Sequence, residues 1–267
     1  MCKVTKRYVD FSGNLIVESL SQCSNIIDKL VDDWNIINNK CIWFRGQSDF
    51  SWELVPGLYR HKEGSYFERE LNREFILHSQ TLIDKQPSTI LGWLVLMQHY
   101  GMPTRLLDWT ESYLVALFFA VMDCKESIDA AIWVIRPAYI NNASLKDHMI
   151  PIELDARLKD YILPWPDTRE RNIKAVYPAA FRPWWNNSRI VAQRGMFTIH
   201  GSSKEPLNRV IEQYNNLGLN MQAIKLLIPG KMKRKILHEL RFTGITDFLL
   251  FPEVEGLCRE IASKYLK

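Results

Sequence analysis

No pair of cysteines in the 267 residues stands at Cys-x-x-Cys spacing, and the five present (Cys2, Cys23, Cys41, Cys124, Cys258) are scattered along the chain. That excludes a zinc ribbon or a dithiol redox motif, and it fits a reducing compartment. The six histidines also lack metal-ligand spacing, so no metal is expected. No apolar run nears the ~18 residues of a membrane span, and no basic start leads into an apolar leader, so the expectation is a cytoplasmic protein with no membrane partner. Charge of one sign is scarce too: 34 Lys and Arg against 30 Asp and Glu leave +4. Such a balance does not imply nucleic-acid binding by itself, but it leaves room for an anionic ligand. Gly-x-x-x-x-Gly-Lys, Gly-x-Gly-x-x-Gly, Gly-x-Ser-x-Gly and His-Glu-x-x-His are all missing. Phosphate-loop ATPases, standard dinucleotide-binding dehydrogenases, ordinary α/β-hydrolases and zincins are therefore disfavoured.

What is present is an ordinary globular composition, 47% hydrophobic and 12% aromatic, in a chain long enough to bury a large core. The pattern alternates helix and strand signals without a repeat or linker. It predicts one mixed α/β (α+β) domain with a central mixed sheet flanked by helices. Residues 1–40 form an arm and a helix of the same unit, with a short edge strand at Arg7-Tyr8-Val9. Helical spacing covers Ser21 to Ile37, and a buried strand, Cys41 to Phe44, delivers Arg45-Gly46-Gln47 at its end. A helix capped by Ser65 runs from Tyr66 to about Leu82, its inner face Phe67, Leu71, Phe75 and Leu82. Another spans Thr89 to Tyr100, with Gly101 as a left-handed cap and Pro103 as a stop.

Asp108 to Glu111 has capping-box spacing, with Asp108 as N-cap of a nearly all-apolar central helix ending near Asp123. Ala130–Ile135 reads as a buried strand. Residues 139–187 read as an irregular, aromatic-rich wrap, either lid or inert cover. Arg189 to Ile199 reads as a strand bulged at Gly195, and Pro206 to Asn216 as a helix. Ala223–Ile228 is a strand, Gly230 opens a helix, Phe248–Phe251 is strand-like, and a last helix starts near Pro252.

Two polar knots interrupt this apolar scaffold. Arg45, followed by Gly46 for close approach, suits a carboxylate or phosphate, or else a structural ion pair with Asp49 or Glu53. Gln98, His99, Thr104, Arg105, Asp108 and Glu111 lie within one helix end, turn and helix start. They form either a polar pocket or a well-satisfied turn, and on the residues alone the turn is the simpler reading. Asp108 can be only an N-cap, and His99 only an imidazole at a helix carboxyl end. Lys231, Lys233, Arg234 and Lys235 at a helix start are either an anion site or a solvated face. Trp184 and Trp185 either stack a base or pack a loop.

Phe44-Arg45-Gly46-Gln47-Ser48-Asp49, Trp52 to Arg60, Met97 to Thr110 and Ala116 to Ala120 together resemble the FRG domain family. Arg189-Ile190, Ala192 to Thr198 and Leu250-Phe251-Pro252 extend the resemblance towards the C-terminus, so residues 41–267 are read as the family's unit. Glu111 to Leu114 departs from the family's polar-Asn-Pro-Leu run.

A weaker similarity, an aromatic-Arg-Gly at a strand end, is to ADP-ribosyltransferases and implies an ADP-ribosyltransferase-like fold with NAD as substrate. That similarity assigns Arg45 to pyrophosphate, His99 or Thr104 to ribose, and Gln193 to the place of the usual acid, with Glu253 and Glu255 as alternative acids. The implied catalytic set is Arg45, His99, Asp108 and Gln193. The implied ligand-binding set is Gly46, Gln47, Tyr59, Arg60, Gln98, Thr104, Arg105, Trp109 and Gly195.

The function implied is an ADP-ribosyltransferase or NAD glycohydrolase acting on a nucleotide-like small molecule, with a protein or nucleic-acid acceptor, in stress or phage defence. The alternative is a non-catalytic module that recognises a nucleotide, nucleic acid or protein through the same pocket. A nuclease stands third, because Asp108, Glu111 and Asp123 form no convincing carboxylate cluster.

Overall fold

A computed structural model describes residues 15–37, 41–162, 173–185 and 187–266. The expected edge strand at Arg7-Tyr8-Val9 and the Pro164-Trp165-Pro166 stretch lie outside the described residues. In chain order the elements are β1 (Leu15–Ile16), α1 (Leu20–Asp33), β2 (Trp43–Gln47), α2 (Gly64–His78), α3 (Ile90–His99), β3 (Leu106–Thr110) and α4 (Tyr113–Val121). Then come β4 (Ala130–Ile135), α5 (Pro137–Leu145), β5 (Ala179–Phe181), α6 (Ser188–Gln193), β6 (Gly195–Ile199) and α7 (Leu207–Asn216). The series ends with β7 (Ala223–Ile228), α8 (Lys233–Phe242), α9 (Asp247–Leu250) and α10 (Val254–Tyr265). Short 3-10 turns lie at Gly57–Arg60, Ala156–Tyr161 and Gly230–Met232.

The seven strands form one mixed sheet in the order β1-β7-β4-β2-β3-β6-β5. The β1–β7 pair is parallel and the remaining pairs are antiparallel. Side chains alternate across a strand, and that alternation divides the core. Phe44 and Val134 face α1, α4 and α8 in one apolar cluster. On the same face, Leu106 joins α3 in a second cluster with Phe197 and Ile199. Trp43, Leu107 and Trp109 point the other way, towards Ile140 of α5 and Leu207 and Ile211 of α7. One face of the sheet thus carries two separate cores, and the strip between them runs along β2 and β3.

The expected central helix is present and pressed tightly onto β2. A Cβ placed on Gly46 would lie 1.9 Å from the Ala116 carbonyl oxygen. Only glycine therefore lets α4 come this close, and the glycine admits a helix here, where a ligand was expected. Helix α3 is closed as its sequence suggests. The Thr89 side chain accepts from the Gly92 N–H at 2.8 Å, and Gly101 has φ +83°.

Several expectations are corrected. Asp108 caps nothing: it lies within β3, and α4 begins after Ser112, which makes no side-chain cap bond. The alternation of Leu106, Asp108 and Thr110 against Leu107 and Trp109 has a period of two, masked in sequence by the Leu-Leu pair. Arg45 likewise lies inside β2, opposite Trp133 of β4, and not after the strand. Residues 188–193 form α6, because the Asn187 side chain accepts from the Ile190 N–H. Arg194 then turns left-handed at φ 47° to start β6 at Gly195.

Phe248 to Leu250 belong to a single helical turn whose N-cap, Thr246, accepts from the Leu249 N–H. Helix α1 stops at Asp33, before Ile37, because Asn35 takes φ 49°. Helix α2 starts at Gly64 after Glu63, so Ser65 is not its cap, and Phe67 and Leu82 are exposed. The wrap at 139–187 includes much of α5, a 3-10 turn, and β5, which pairs with β6.

Candidate functional site

The site arises where the sheet comes apart. β2 pairs with β4 over five residues, and β3 pairs with β6 over five. Between β2 and β3 only Phe44 and Thr110 are in register. Beyond that point the two strands diverge, and the backbone groups bordering the gap need other partners. Arg45 supplies one: its Nη1 donates to the Asp108 carbonyl oxygen at 2.6 Å and lies 3.6 Å from Asp108 Oδ2.

A cavity of about 280 Å³ occupies this divergence. β2 contributes Phe44, Arg45, Gly46 and Gln47, and β3 contributes Asp108, Trp109 and Thr110. Helix α4 adds Val115, Ala116 and Phe119, and α3 adds Gln98. Arg189 and Gln193 come from α6, while Trp52 and Arg60 stand at the loop side. Three arginines and one carboxylate line the cavity, so the lining is net positive.

Arg45 is the most constrained of these groups. Its side chain is 15% exposed, and its buried Nε has no hydrogen-bond partner. Burial lowers its pKa, Asp108 opposes that shift, and the neighbouring Arg60 adds to it. A guanidinium remains protonated through such a shift. An unpaired buried donor on a cation favours an incoming anion. The opposing carboxylate, Asp108, is 54% exposed. Gln98 holds it, donating from Nε2 to Oδ2 at 2.9 Å. The Leu106 N–H donates to the Thr104 hydroxyl, which therefore donates onward to Gln98 Oε1 at 2.6 Å. This chain fixes the amide so that its NH₂ meets the carboxylate.

The sequence-predicted residues divide into three groups. Arg45, Gly46, Gln47, Arg60, Gln98, Asp108, Trp109 and Gln193 converge on the cavity. Four of them are also bonded outside it: Gln47 Oε1 accepts from Trp133 Nε1 at 2.8 Å, Gln193 Nε2 donates to the Leu250 carbonyl at 2.9 Å, Trp109 Nε1 donates to the Thr198 hydroxyl at 3.0 Å, and Arg60 Nε donates to the Val55 carbonyl at 3.0 Å. His99 and Gly195 line a smaller cavity of about 50 Å³ that shares Gln98, Asp108, Arg189 and Gln193 with the main one. Burial lowers the His99 pKa, Arg189 adds to the effect, and Glu253, 3.5 Å from Nε2, opposes it.

Tyr59, Thr104 and Arg105 do not reach the cavity. The Tyr59 hydroxyl donates to the Gly201 carbonyl at 2.5 Å. Arg105 is fully buried: Nε bonds Glu68 Oε1 at 2.5 Å, Nη2 bonds the Tyr161 carbonyl at 2.6 Å, and Nη1 bonds the His200 carbonyl. It is a structural tie between α2 and the sheet, with every donor group committed.

Arg189 is the charged lining residue that sequence reasoning missed. It looked like part of a strand, whereas α6 aims it at the cavity. Its guanidinium lies 4.7 Å from the Phe251 ring centroid, and Arg259 lies 4.2 Å from the same ring. Of the basic run at 231–235, three cations contact other groups. Buried Lys233 donates to the Ser48 carbonyl at 2.7 Å and to Asp123 at 3.0 Å, supporting the end of β2. Arg234 pairs with Glu126, and Lys235 lies 3.9 Å from Glu239.

Glu111 pairs with Arg182 at 3.6 Å, so Asp108, Glu111 and Asp123 point to separate partners. Glu253 lies at His99, and Glu255 pairs with Arg259 at 3.5 Å. Neither lines the cavity. Trp184 and Trp185 are half-exposed and also lie away from it. Among the described residues, no group of three or more His, Cys, Asp or Glu is placed to hold a metal ion, and no helix is long and apolar enough to cross a membrane.

Fold and site together define a mixed α/β protein with an arginine-lined pocket at a split in its sheet. The FRG domain family model matches residues 40–128, and the chain carries an FRG domain over that span. The match includes β2, α3, β3 and α4, and with them Arg45, Gln98 and Asp108. Arg189 and Gln193 lie beyond it. Neither the comparison with curated proteins nor that with solved structures finds a match.

Proposed function

We propose that the pocket binds the phosphate-bearing part of NAD and breaks its nicotinamide–ribose bond, as an ADP-ribosyltransferase or NAD glycohydrolase does. The observation that carries this reading is the buried Arg45 guanidinium with its unpartnered Nε, beside Arg60 and Arg189 in a cavity with one carboxylate. The surplus of guanidiniums suits a pyrophosphate. Trp52, Trp109 and Phe119 offer apolar and aromatic surface for a ring. A cavity of about 280 Å³ holds about one nucleoside phosphate, leaving the second half of the dinucleotide at the open Trp52–Arg60 side.

Positive charge builds on the ribose as the C1′–N bond breaks and its electron pair returns to nicotinamide. Asp108 is the anion available to stabilise that charge, a role the amide of Gln193 cannot fill. An acceptor oxygen, from water or a protein side chain, then bonds to C1′ and releases its proton.

Asp108 is also held by Arg45 and Gln98, which reduces the charge it can offer. That favours the second reading, a module that binds a nucleotide without turning it over. Incubation with NAD, with and without nucleic acid and cell extract, separates the two by chromatography of released nicotinamide. Release that disappears in Arg45→Ala and Asp108→Ala, with circular dichroism unchanged, supports the enzyme. Binding of NAD without release supports the module, and neither binding nor release overturns the NAD reading.

A further inference from the structure

Helix α2 carries an apolar stripe that the core covers only in part: Phe75 packs against the second cluster, edge-on to Trp93, while Phe67 is turned outward. Phe67, Leu71 and Phe75 recur every four residues, and Phe67 is 43% exposed. With Leu58, Met102 and Pro103 they line a groove of about 660 Å³. One wall is α2 from Glu63 to Phe75, a length of roughly 18 Å, or three helical turns. The other wall is the Gly57–Arg60 turn and the segment following α3.

The groove is built rigidly. A Cβ on Gly64 would meet the Leu58 carbonyl oxygen at 2.0 Å, so α2 begins in direct contact with the opposite wall. The buried Arg105–Glu68 pair anchors the back of α2. Three glutamates, Glu63, Glu70 and Glu74, stand exposed along the rim, with His61 the one basic-type side chain among the lining groups. The cations of the same region, Lys62, Arg69 and Arg73, lie off the groove. A chain of net charge +4 therefore presents a locally acidic, apolar-floored channel.

We infer that this groove receives a basic amphipathic helix from a protein partner. Apolar side chains at i, i+3 or i+4, and i+7 would fill the floor, and lysines or arginines would face Glu63, Glu70 and Glu74. The groove adjoins the arginine-lined pocket through one turn: Leu58 floors the groove, and Arg60 lines the pocket. A seated partner rests beside the pocket, placed to accept ADP-ribose. That corollary rests on the NAD reading, whereas the docking itself does not.

The test is fluorescence anisotropy, without NAD, using a labelled peptide of about 14 residues in which leucines at helical spacing alternate with lysines. A scrambled peptide of equal composition and one with glutamate for lysine serve as comparisons. The periodic basic peptide is expected to bind the full chain. Its affinity should fall at least about tenfold in Phe67→Ser and in the Glu70→Lys/Glu74→Lys double variant, and the acidic peptide should bind that double variant. All three positions are exposed, so unchanged thermal melting will verify folding. Equal binding of the scrambled peptide, no effect of the variants, or no binding at all overturns the inference. Self-association abolished by Phe67→Ser, without peptide binding, overturns it in favour of a second copy.

Discussion

Arg45 and Arg105 have opposite roles although one stands on β2 and the other immediately precedes β3. Every donor group of Arg105 is used by protein, and Arg45 keeps a buried Nε unpartnered. Arg45→Ala is therefore expected to weaken binding of a pyrophosphate ligand by about 2 kcal/mol, roughly thirtyfold, and to lower stability by about 1 kcal/mol because the Asp108 carbonyl loses its partner. Arg45→Lys should recover only part of that, because an ammonium cannot make the forked contact. Isothermal titration with ADP-ribose checks both. Arg105→Ala should leave Glu68 buried and unpaired, lowering stability by about 3–5 kcal/mol in urea unfolding.

His200 supplies a pH dependence. It is fully buried, neither ring nitrogen has a partner, and burial, reinforced by Arg105, pushes its pKa down to about 3. Between that value and the ordinary 6.5, only the unfolded chain binds the proton. Stability is therefore full above pH 6.5 and falls with acidification by up to about 1.4 kcal/mol per pH unit. The lowered pKa of His99 acts in the same direction. Urea unfolding at pH 7 and pH 5 should differ by roughly 2 kcal/mol from His200, and His200→Leu should flatten the difference.

At the scale of elements, the packing of α4 on β2 governs the site, since this helix forms one wall of the cavity. Gly46→Ala would drive a methyl group into the Ala116 carbonyl. The helix must then move or the strand must bend, and a loss of about 3 kcal/mol is expected in chemical unfolding. Ligand affinity should fall with it. Phe44-Arg45-Gly46 thus combines a guanidinium on the cavity wall with a contact that seats the covering helix. Helices α3, α4 and α7 and strands β4 and β7 were legible because their hydrophobic period or length was unambiguous. Strand β3 was not, since Asp108 breaks its apolar run at the position where the face opens into the pocket. Helix α6 was hidden because β-branched residues suggested a strand, and one asparagine cap together with a left-handed Arg194 decided otherwise.

At the scale of the whole molecule, the matched span 40–128 does not contain its own sheet. β2 pairs with β4 and β3 pairs with β6, and both partners lie outside the span. Expressed alone, residues 40–128 should expose two strand edges and show no cooperative melting transition, whereas the full chain should show one. The C-terminal elements act on the pocket over a long sequence distance. Leu250 takes the Gln193 amide, and Phe251 lies beneath Arg189.

By itself the sequence determined the class of fold, most of the helices, the strands with continuous apolar runs, and the neighbourhood of Arg45 and Asp108. Those are local properties, set by period, capping and composition over a few residues. Tertiary structure alone decided that β2 and β3 part after one paired position, that Gly46 serves a helix, and that Arg189 joins the pocket while Arg105 is sealed in the core. Each of these depends on which strand becomes a neighbour and how closely a helix can approach. Such choices are made by packing between residues far apart in the chain, and no local pattern encodes them.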